Sequence, residues 1–354
     1  MKKLIAVSVA LVLVAGSAFA DVTWGGEAQV GVRLAHGSND DDSDVVGYLR
    51  SAGVGLSASA TRETNVGTFG GFGELWGDLS DDSLDVTAVV WWEPISMLRI
   101  VAGNDVGWLN GIGRAGDNFN RNGVGVGDRW IPDAVGAGVG FMGGVGTGLA
   151  FNLTPMDMVN FGVALPYNFD EEEVGDIMQG FRAMLRVNLD VGRIGFGYVG
   201  SADDGDNGTI FASFHSSTLV DGLAMNLGVG FALVEDDQRL NVSAGVGWGA
   251  AEQFGVGFRA AAQIGLGDVD TVRMGFEAIP RFNITPDVGF VLPVGVGVDM
   301  IGDDDAVIRF VVDPYVRVNL GNPSFWAGVQ IWGNNAGDDM TVNWAVPIGM
   351  RINF

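Results

Sequence analysis

Apolar and polar residues alternate along the last fifteen residues of the chain, from Met340 to Phe354. A period of two places the apolar side chains on one face of an extended strand and the polar side chains on the other. The segment exceeds the roughly 9–11 residues that cross a bilayer as a tilted strand, and it ends on an aromatic residue. This pattern predicts the closing strand of a membrane barrel, with lipid outside and water inside.

The same alternation recurs in other segments, including Val22–Ala35, Arg239–Trp248 and Ala306–Leu320. A β-sandwich also alternates, but its strands are usually shorter and less regularly spaced. Two kinds of connection alternate between these segments. One kind is acid-rich, as in Leu79–Asp85 and Asp170–Gln179, and the other is short. We interpret the acid-rich connections as external loops and the short ones as periplasmic turns.

The short connections carry Pro, Gly or Asn, as in Thr61–Asn65, Glu93–Met97 and Asn152–Asp157. Counting both kinds predicts an all-β fold, a transmembrane antiparallel up-and-down β-barrel of about eighteen strands spanning residues 21–354. The segment Ala134–Leu153 is too long for one strand, and its Gly-rich half can belong to the preceding loop. Sixteen strands is therefore the alternative.

The first twenty residues have the three parts of a signal peptide. Lys2 and Lys3 form a basic start, Leu4–Val14 is apolar, and Ala18-Phe19-Ala20 is a small-x-small cleavage site. The apolar run is too short for a membrane-spanning helix. We therefore predict export, with residues 1–20 removed and the mature chain located in the cell outer membrane.

Composition excludes several kinds of chemistry. The chain has no cysteine, which removes disulfides, metal–thiolate sites and thiol nucleophiles. Its formal net charge of −24 argues against nucleic-acid binding, which needs a basic surface. Clusters such as Asp303–Asp305 could bind Ca²⁺, but no loop has EF-hand spacing, so we predict no dedicated metal site.

Enzymatic activity is not predicted either. The letters of Gly111–Gly116 match GxGxxG, but the match lies in a loop rather than between a strand and a helix. The chain has only two histidines, His36 and His215, and no arrangement of nucleophile, base and orienting group. We predict no catalytic residue and no cofactor.

Charged residues on the polar face of the strands are the candidate functional residues. An arginine facing lipid costs roughly 2–4 kcal/mol at the midplane, so these arginines are expected to point inward. They would either form a basic, pore-lining wall that attracts anions, or pair with inward carboxylates and fill a narrow lumen. The predicted pore-lining residues are Arg33, Arg99, Arg182, Arg186, Arg259, Arg273, Arg309, Arg317, Arg351, Glu27, Glu277 and Asp313.

The longest connection, Asn104–Asp133, is the third external loop by this count. Long ordered loops are usually functional, and this one would narrow the lumen if it folds inward. Its carboxylates would then face the arginine wall across a constriction. A mobile surface loop is the alternative. The predicted constriction residues are Asp105, Arg114, Asp117, Arg121, Asp128 and Arg129.

The terminal sequence Gly349-Met-Arg-Ile-Asn-Phe354 resembles the closing strand of the bacterial outer-membrane porin class. The segment Val89–Pro94, followed by Leu98–Ile100 and Gly103, is similar to strand–turn–strand units in barrel proteins of spirochaetes. The resemblance implies passive diffusion as the activity, the barrel assembly machinery as a folding partner, and a homotrimer. No aromatic slide typical of sugar-specific porins is present.

These observations together predict a porin through which small hydrophilic solutes diffuse. One alternative is a transporter for specific or hydrophobic ligands with a blocked lumen, although no N-terminal plug segment precedes Val22. A structural or adhesive barrel with a filled lumen is the other alternative.

Overall fold

A computed structural model describes residues 21–39, 45–78, 83–104, 147–166, 180–200, 208–233, 238–251, 253–266, 271–301, 306–335 and 340–354. The predicted signal peptide, most of the acid-rich loops and residues 105–146 lie outside this part of the chain. Within it, no helix is long and apolar enough to cross a membrane.

Eighteen antiparallel strands form one closed sheet in the described residues, which confirms the predicted fold class and the count of eighteen. Each strand pairs with the next, and the ladder between the first and last strands closes the barrel. The strands are β1 Asp21–Ser38, β2 Val45–Thr64, β3 Gly67–Asp78, β4 Ser83–Ile95, β5 Leu98–Gly103, β6 Gly148–Met156, β7 Val159–Pro166, β8 Arg182–Leu189, β9 Gly192–Gly200, β10 Gly208–Val220, β11 Leu223–Leu233, β12 Arg239–Ala251, β13 Phe254–Gly265, β14 Thr271–Asn283, β15 Val288–Val291 and Val294–Ile301, β16 Val307–Val312 and Tyr315–Asn319, β17 Ser324–Gly328 and Gln330–Asn334, and β18 Thr341–Asn353.

Three neighbouring strands, β15, β16 and β17, are each interrupted once, at Leu292–Pro293, Asp313–Pro314 and Val329. Proline has no backbone N–H, so it cannot donate to the ladder. The residue before each proline donates instead. Leu292 N donates to Pro280 O at 3.0 Å, and Asp313 N donates to Pro293 O at 2.9 Å. The prediction of one regular strand through Pro314 is therefore wrong in detail, although the alternation of faces survives the break.

Several short turns are tighter than predicted. The strands continue through Thr64, Ile95 and Met156, so the connections reduce to about two residues. Pairs such as Ile95 with Leu98 and Met156 with Val159 hold the strand ends together. The predicted connections Thr61–Asn65, Glu93–Met97 and Asn152–Asp157 were too long because polar residues near a turn, such as Glu93, still belong to the inner face of a strand.

The two faces of the barrel differ in composition and exposure. Large apolar side chains on the outer face are exposed, as for Phe258, Phe276 and Leu227. Their sequence neighbours on the inner face are buried or half-buried and polar, as for Glu277 and Asn226. Side chains converge inside a closed barrel and diverge outside, which explains the difference in exposure. The outer surface is therefore apolar where a bilayer would contact it.

The end of β18 is held to β1 by both backbone and side chain. Gly26 N donates to Phe354 O at 2.6 Å, and Phe354 N donates to Gly26 O at 2.9 Å. The ring of Phe354 lies over Gly26, where a Cβ atom would collide with it. A glycine at position 26 therefore makes room for the terminal aromatic ring at the closing seam.

Candidate functional site: the inner wall of the barrel

All the predicted pore-lining residues lie on the inner face of their strands, at positions alternating with exposed apolar residues. The register sets their order around the wall. Glu27 and Arg33 lie on β1, Arg99 on β5, Arg182 and Arg186 on β8, Arg259 on β13, Arg273 and Glu277 on β14, Arg309 and Arg317 on β16, Asp313 at the break in β16, and Arg351 on β18.

Arg259 and Glu277 form a buried ion pair on this wall. They stand directly opposite each other on β13 and β14. Arg259 Nη2 lies 2.8 Å from Glu277 Oε2, and Nε donates to the same oxygen at 3.2 Å. The side chains are 14% and 0% exposed. Two charge-assisted hydrogen bonds therefore offset part of the desolvation cost of this carboxylate.

Three further pairs join arginines to inner-face carboxylates. Arg309 Nη2 lies 2.7 Å from Asp299 Oδ2, and Arg351 Nη2 contacts Glu27 Oε2 across the closing seam. Arg99 contacts Glu93 near the β4–β5 turn. Paired arginines contribute less net charge to the lumen than free ones, so the inner wall is only partly basic.

Two arginines also lie against indole rings. Arg99 Cζ is 4.6 Å from the Trp91 ring centroid, and Arg33 Cζ is 5.8 Å from that of Trp332. Both distances fall within the range of cation–π contacts. Trp91 also packs against the buried cluster that contains Val101 of β5. The ring of Trp91 therefore lies inside the barrel.

The inner wall contains two apolar clusters in addition to the charges. Val101, Ala150, Ala164, Met184 and Phe211 form one cluster across β5–β10. The other consists of Ile279, Val291, Tyr315 and Trp326 on β14–β17. Buried inner-face residues in these positions stiffen the wall by packing against their neighbours. The alternation in the sequence predicts an inner face of polar or small residues, and it does not predict either cluster.

Several charged inner-face residues were also missed. Glu74 lies beside Trp76 on β3, Glu93 lies on β4, and Arg193 lies on β9. The alternation that predicted Arg186 also places Arg193 inward, because Arg193 stands opposite inner-face Asn188. The sequence places Glu93 in a turn, so its ion pair with Arg99 was not predicted.

Charges are unevenly distributed around the wall. The seven neighbouring strands β6–β12 contain no Asp or Glu in their described residues, but they contain Arg182, Arg186, Arg193 and Arg239. The described parts of β13–β18 contain both signs, with Glu277, Asp299 and Asp313 among the arginines. We refer to the inner face of β6–β12 as the acid-free sector.

The predicted constriction residues Asp105, Arg114, Asp117, Arg121, Asp128 and Arg129 lie outside the described residues. β5 ends at Gly103 and β6 begins at Gly148. Asn104 is described: Ala88 N donates to its Oδ1 at 2.6 Å, and its Nδ2 donates to Val86 O. In the described part of the chain, no group of three or more His, Cys, Asp or Glu could hold a metal ion.

Comparison with solved structures finds barrel proteins that match along nearly the whole chain. OpdQ of Pseudomonas aeruginosa has a TM-score of 0.61 at 8% identity, covering 95% of this chain and 98% of that chain. A loop L8 deletion mutant of OmpT, an outer membrane protein of Vibrio cholerae, has a TM-score of 0.53 at 10% identity, covering 95% of this chain and 99% of that chain. A mutant of the Rh. blastica porin has a TM-score of 0.51 at 12% identity, covering 94% of this chain and 100% of that chain.

The fold is that of an outer-membrane β-barrel. At this level of identity the similarity establishes a shared architecture and leaves the solute unspecified. The comparison with family models gives no match, and neither does the comparison with curated protein sequences.

Proposed function

We propose that this protein is an outer-membrane channel through which small hydrophilic solutes diffuse passively. The observation that carries the proposal is the closed eighteen-strand barrel with charged and amide side chains inside and exposed apolar side chains outside. Barrels of 16–18 strands are wide enough to leave an aqueous channel. Structural similarity to the Rh. blastica porin mutant supports the same interpretation.

In this proposal the chain is exported with residues 1–20 as its signal peptide. It inserts into the outer membrane with the help of the barrel assembly machinery, and assembly into a homotrimer is part of the same proposal. The channel performs no catalysis and needs no cofactor. The exposed apolar band on the outer face would contact membrane lipid.

Selectivity would come from the inner wall and from the loop after β5. The inner-face arginines would set a positive potential, among them Arg33, Arg182, Arg186, Arg273 and Arg317. Rings of side-chain charge select ions by sign. The loop residues 104–133 would narrow the pathway, with Asp105, Asp117 and Asp128 facing the arginines.

Planar-bilayer recording of the purified full chain tests the proposal. We expect stable stepwise conductance increments as single channels insert, with a reversal potential displaced from zero in a KCl gradient. Heat-denatured protein serves as the control for detergent artefacts. Absence of stable steps from correctly folded protein would refute the channel function.

A structural barrel with a filled lumen is the second candidate, and the inward ion pairs favour it. Arg309–Asp299, Arg259–Glu277 and Arg351–Glu27 bridge neighbouring strands in the manner expected of side chains that fill space. Replacing Arg309 and Arg317 by Ala separates the candidates. A channel should change its ion selectivity, whereas a filled barrel should mainly lose stability. A blocked, ligand-specific transporter would show ligand-dependent uptake without steady conductance.

A further inference from the structure

The acid-free sector contains a group of inner-face side chains that the ion pairs elsewhere do not involve. On three neighbouring strands, Arg186 of β8 stands opposite Gly195 of β9, which stands opposite Ser213 of β10. The next inner-face row places Arg193 of β9 opposite His215 of β10. These positions form two adjacent rows on one patch of wall.

Gly195 lies between the polar side chains and has none of its own. A Cβ atom at Gly195 would lie 2.8 Å from Ser213 Oγ, so the serine hydroxyl already leans over the glycine. Arg186 and Ser213 therefore flank Gly195 in one row, and Arg193 lies in the next row. Glycine in a strand interior often marks a place where a ligand approaches the backbone closely.

Arg186 and Arg193 occupy diagonal positions on neighbouring strands, where sheet geometry places Cα atoms about 7–8 Å apart. Because both side chains are positively charged, they repel each other. Within the described residues, neither has an ion pair with a carboxylate, and Arg186 Nε is buried without a hydrogen-bond acceptor. The nearest carboxylate along the chain is Asp190 in the β8–β9 turn. An anion between the guanidinium groups would satisfy these donors and relieve the repulsion.

We propose that Arg186, Arg193 and Ser213 form a binding site for a small oxyanion, either a carboxylate or a phosphate group. The guanidinium fork matches the spacing of two oxygens on such groups, and the serine hydroxyl supplies a further donor. The inference rests on the proposed channel, because a solute would reach the site through the lumen. It places solute binding on one sector of the wall rather than around the whole ring of arginines.

The test measures how inorganic phosphate or acetate reduces the single-channel chloride current. The wild-type protein should show saturable block. Arg193→Gln and Arg186→Gln should each raise the half-blocking concentration by about tenfold, because each removes a charge-assisted contact. Ser213→Ala, the mildest change, should raise it by roughly threefold. Block by phosphate alone, by acetate alone or by both identifies the group that the site accepts, and each of these results supports the site.

Arg309→Gln is the matched control, because it also removes one positive charge from the lumen. Arg309 belongs to a pair with Asp299 on another sector, so its loss reports the general charge effect and should raise the half-blocking concentration much less than Arg193→Gln does. An equal loss of block in Arg309→Gln and Arg193→Gln would overturn the site in favour of a general charge effect. Unsaturable block in the wild-type protein would also overturn it, while leaving the channel function standing.

Titration calorimetry of phosphate and acetate into detergent-solubilised full-length protein gives a readout that needs no conduction. Saturable binding that is lost in Arg193→Gln and kept in Arg309→Gln would support the site even if bilayers show no conductance steps. No binding of either anion by the folded wild-type protein would overturn it. Failure of the site and failure of the channel are thereby distinguished.

Discussion

The buried pair Arg259–Glu277 should contribute more to stability than any other ion pair described on the inner wall. Both hydrogen bonds from Arg259 end on one carboxylate oxygen, at 2.8 and 3.2 Å, and the Glu277 side chain is 0% exposed. Arg259→Ala leaves this carboxylate buried without those donors. Breaking a buried pair from one side costs about 3–5 kcal/mol, so we expect a loss of that size in the free energy of unfolding.

Urea unfolding of the barrel in lipid vesicles, followed by tryptophan fluorescence, measures this loss. Arg309→Ala is the comparison, because Arg309 is 45% exposed in its pair with Asp299. A partly exposed pair contributes about 1 kcal/mol or less. The double variant Arg259→Met with Glu277→Leu should recover most of the loss, since it removes both buried charges. A loss below about 1 kcal/mol for Arg259→Ala, or no recovery in the double variant, would refute the reasoning.

Three further changes test the faces and seams of the barrel. Val242→Arg, on the exposed apolar face of β12, should destabilise the membrane-inserted barrel by about 2–4 kcal/mol, whereas Ser243→Arg on the inner face should not; equal losses on urea unfolding would contradict the register. Gly26→Val should lower the thermal midpoint by displacing the Phe354 ring, whereas Gly249→Ala, with nothing within 4 Å of its Cβ position, should have little effect on that midpoint. Asn39 Nδ2 donates to Met340 O, and Val342 N donates to Asn39 Oδ1. Asn39→Ala should therefore cost about 1–3 kcal/mol of unfolding free energy, and unchanged hydrogen exchange at Val342 would count against this bracing role.

The architecture followed from the sequence because lipid and water impose opposite demands on successive residues of a strand. That constraint acts at every position of β1, β12 and β18, so the alternation predicted both the strands and their faces. Breaks at Pro293 and Pro314 could not be derived in the same way. A proline fits several local geometries, and its effect depends on where the neighbouring ladder can donate around it, as Asp313 N does to Pro293 O.

The inner-wall charges were predictable as residues on a face but not as partners. Arg351 and Glu27 are 324 residues apart in sequence, and only the register of the closing seam brings them together. Which arginines lack carboxylate partners also depends on that register. The acid-free sector becomes visible in the sequence once the strand boundaries are known, since β6–β12 contain no Asp or Glu.

Permeation of uncharged solutes of graded size into proteoliposomes tests the channel function most directly. Swelling rates in isosmotic solutions of small sugars and larger oligosaccharides report diffusion through the lumen without relying on charge. We expect swelling that is fast for the smallest solutes and falls steeply with size, since the lumen and its narrowing loop would act as a sieve. Swelling no faster than that of protein-free liposomes for every solute would contradict an open, diffusive pore and favour a filled barrel.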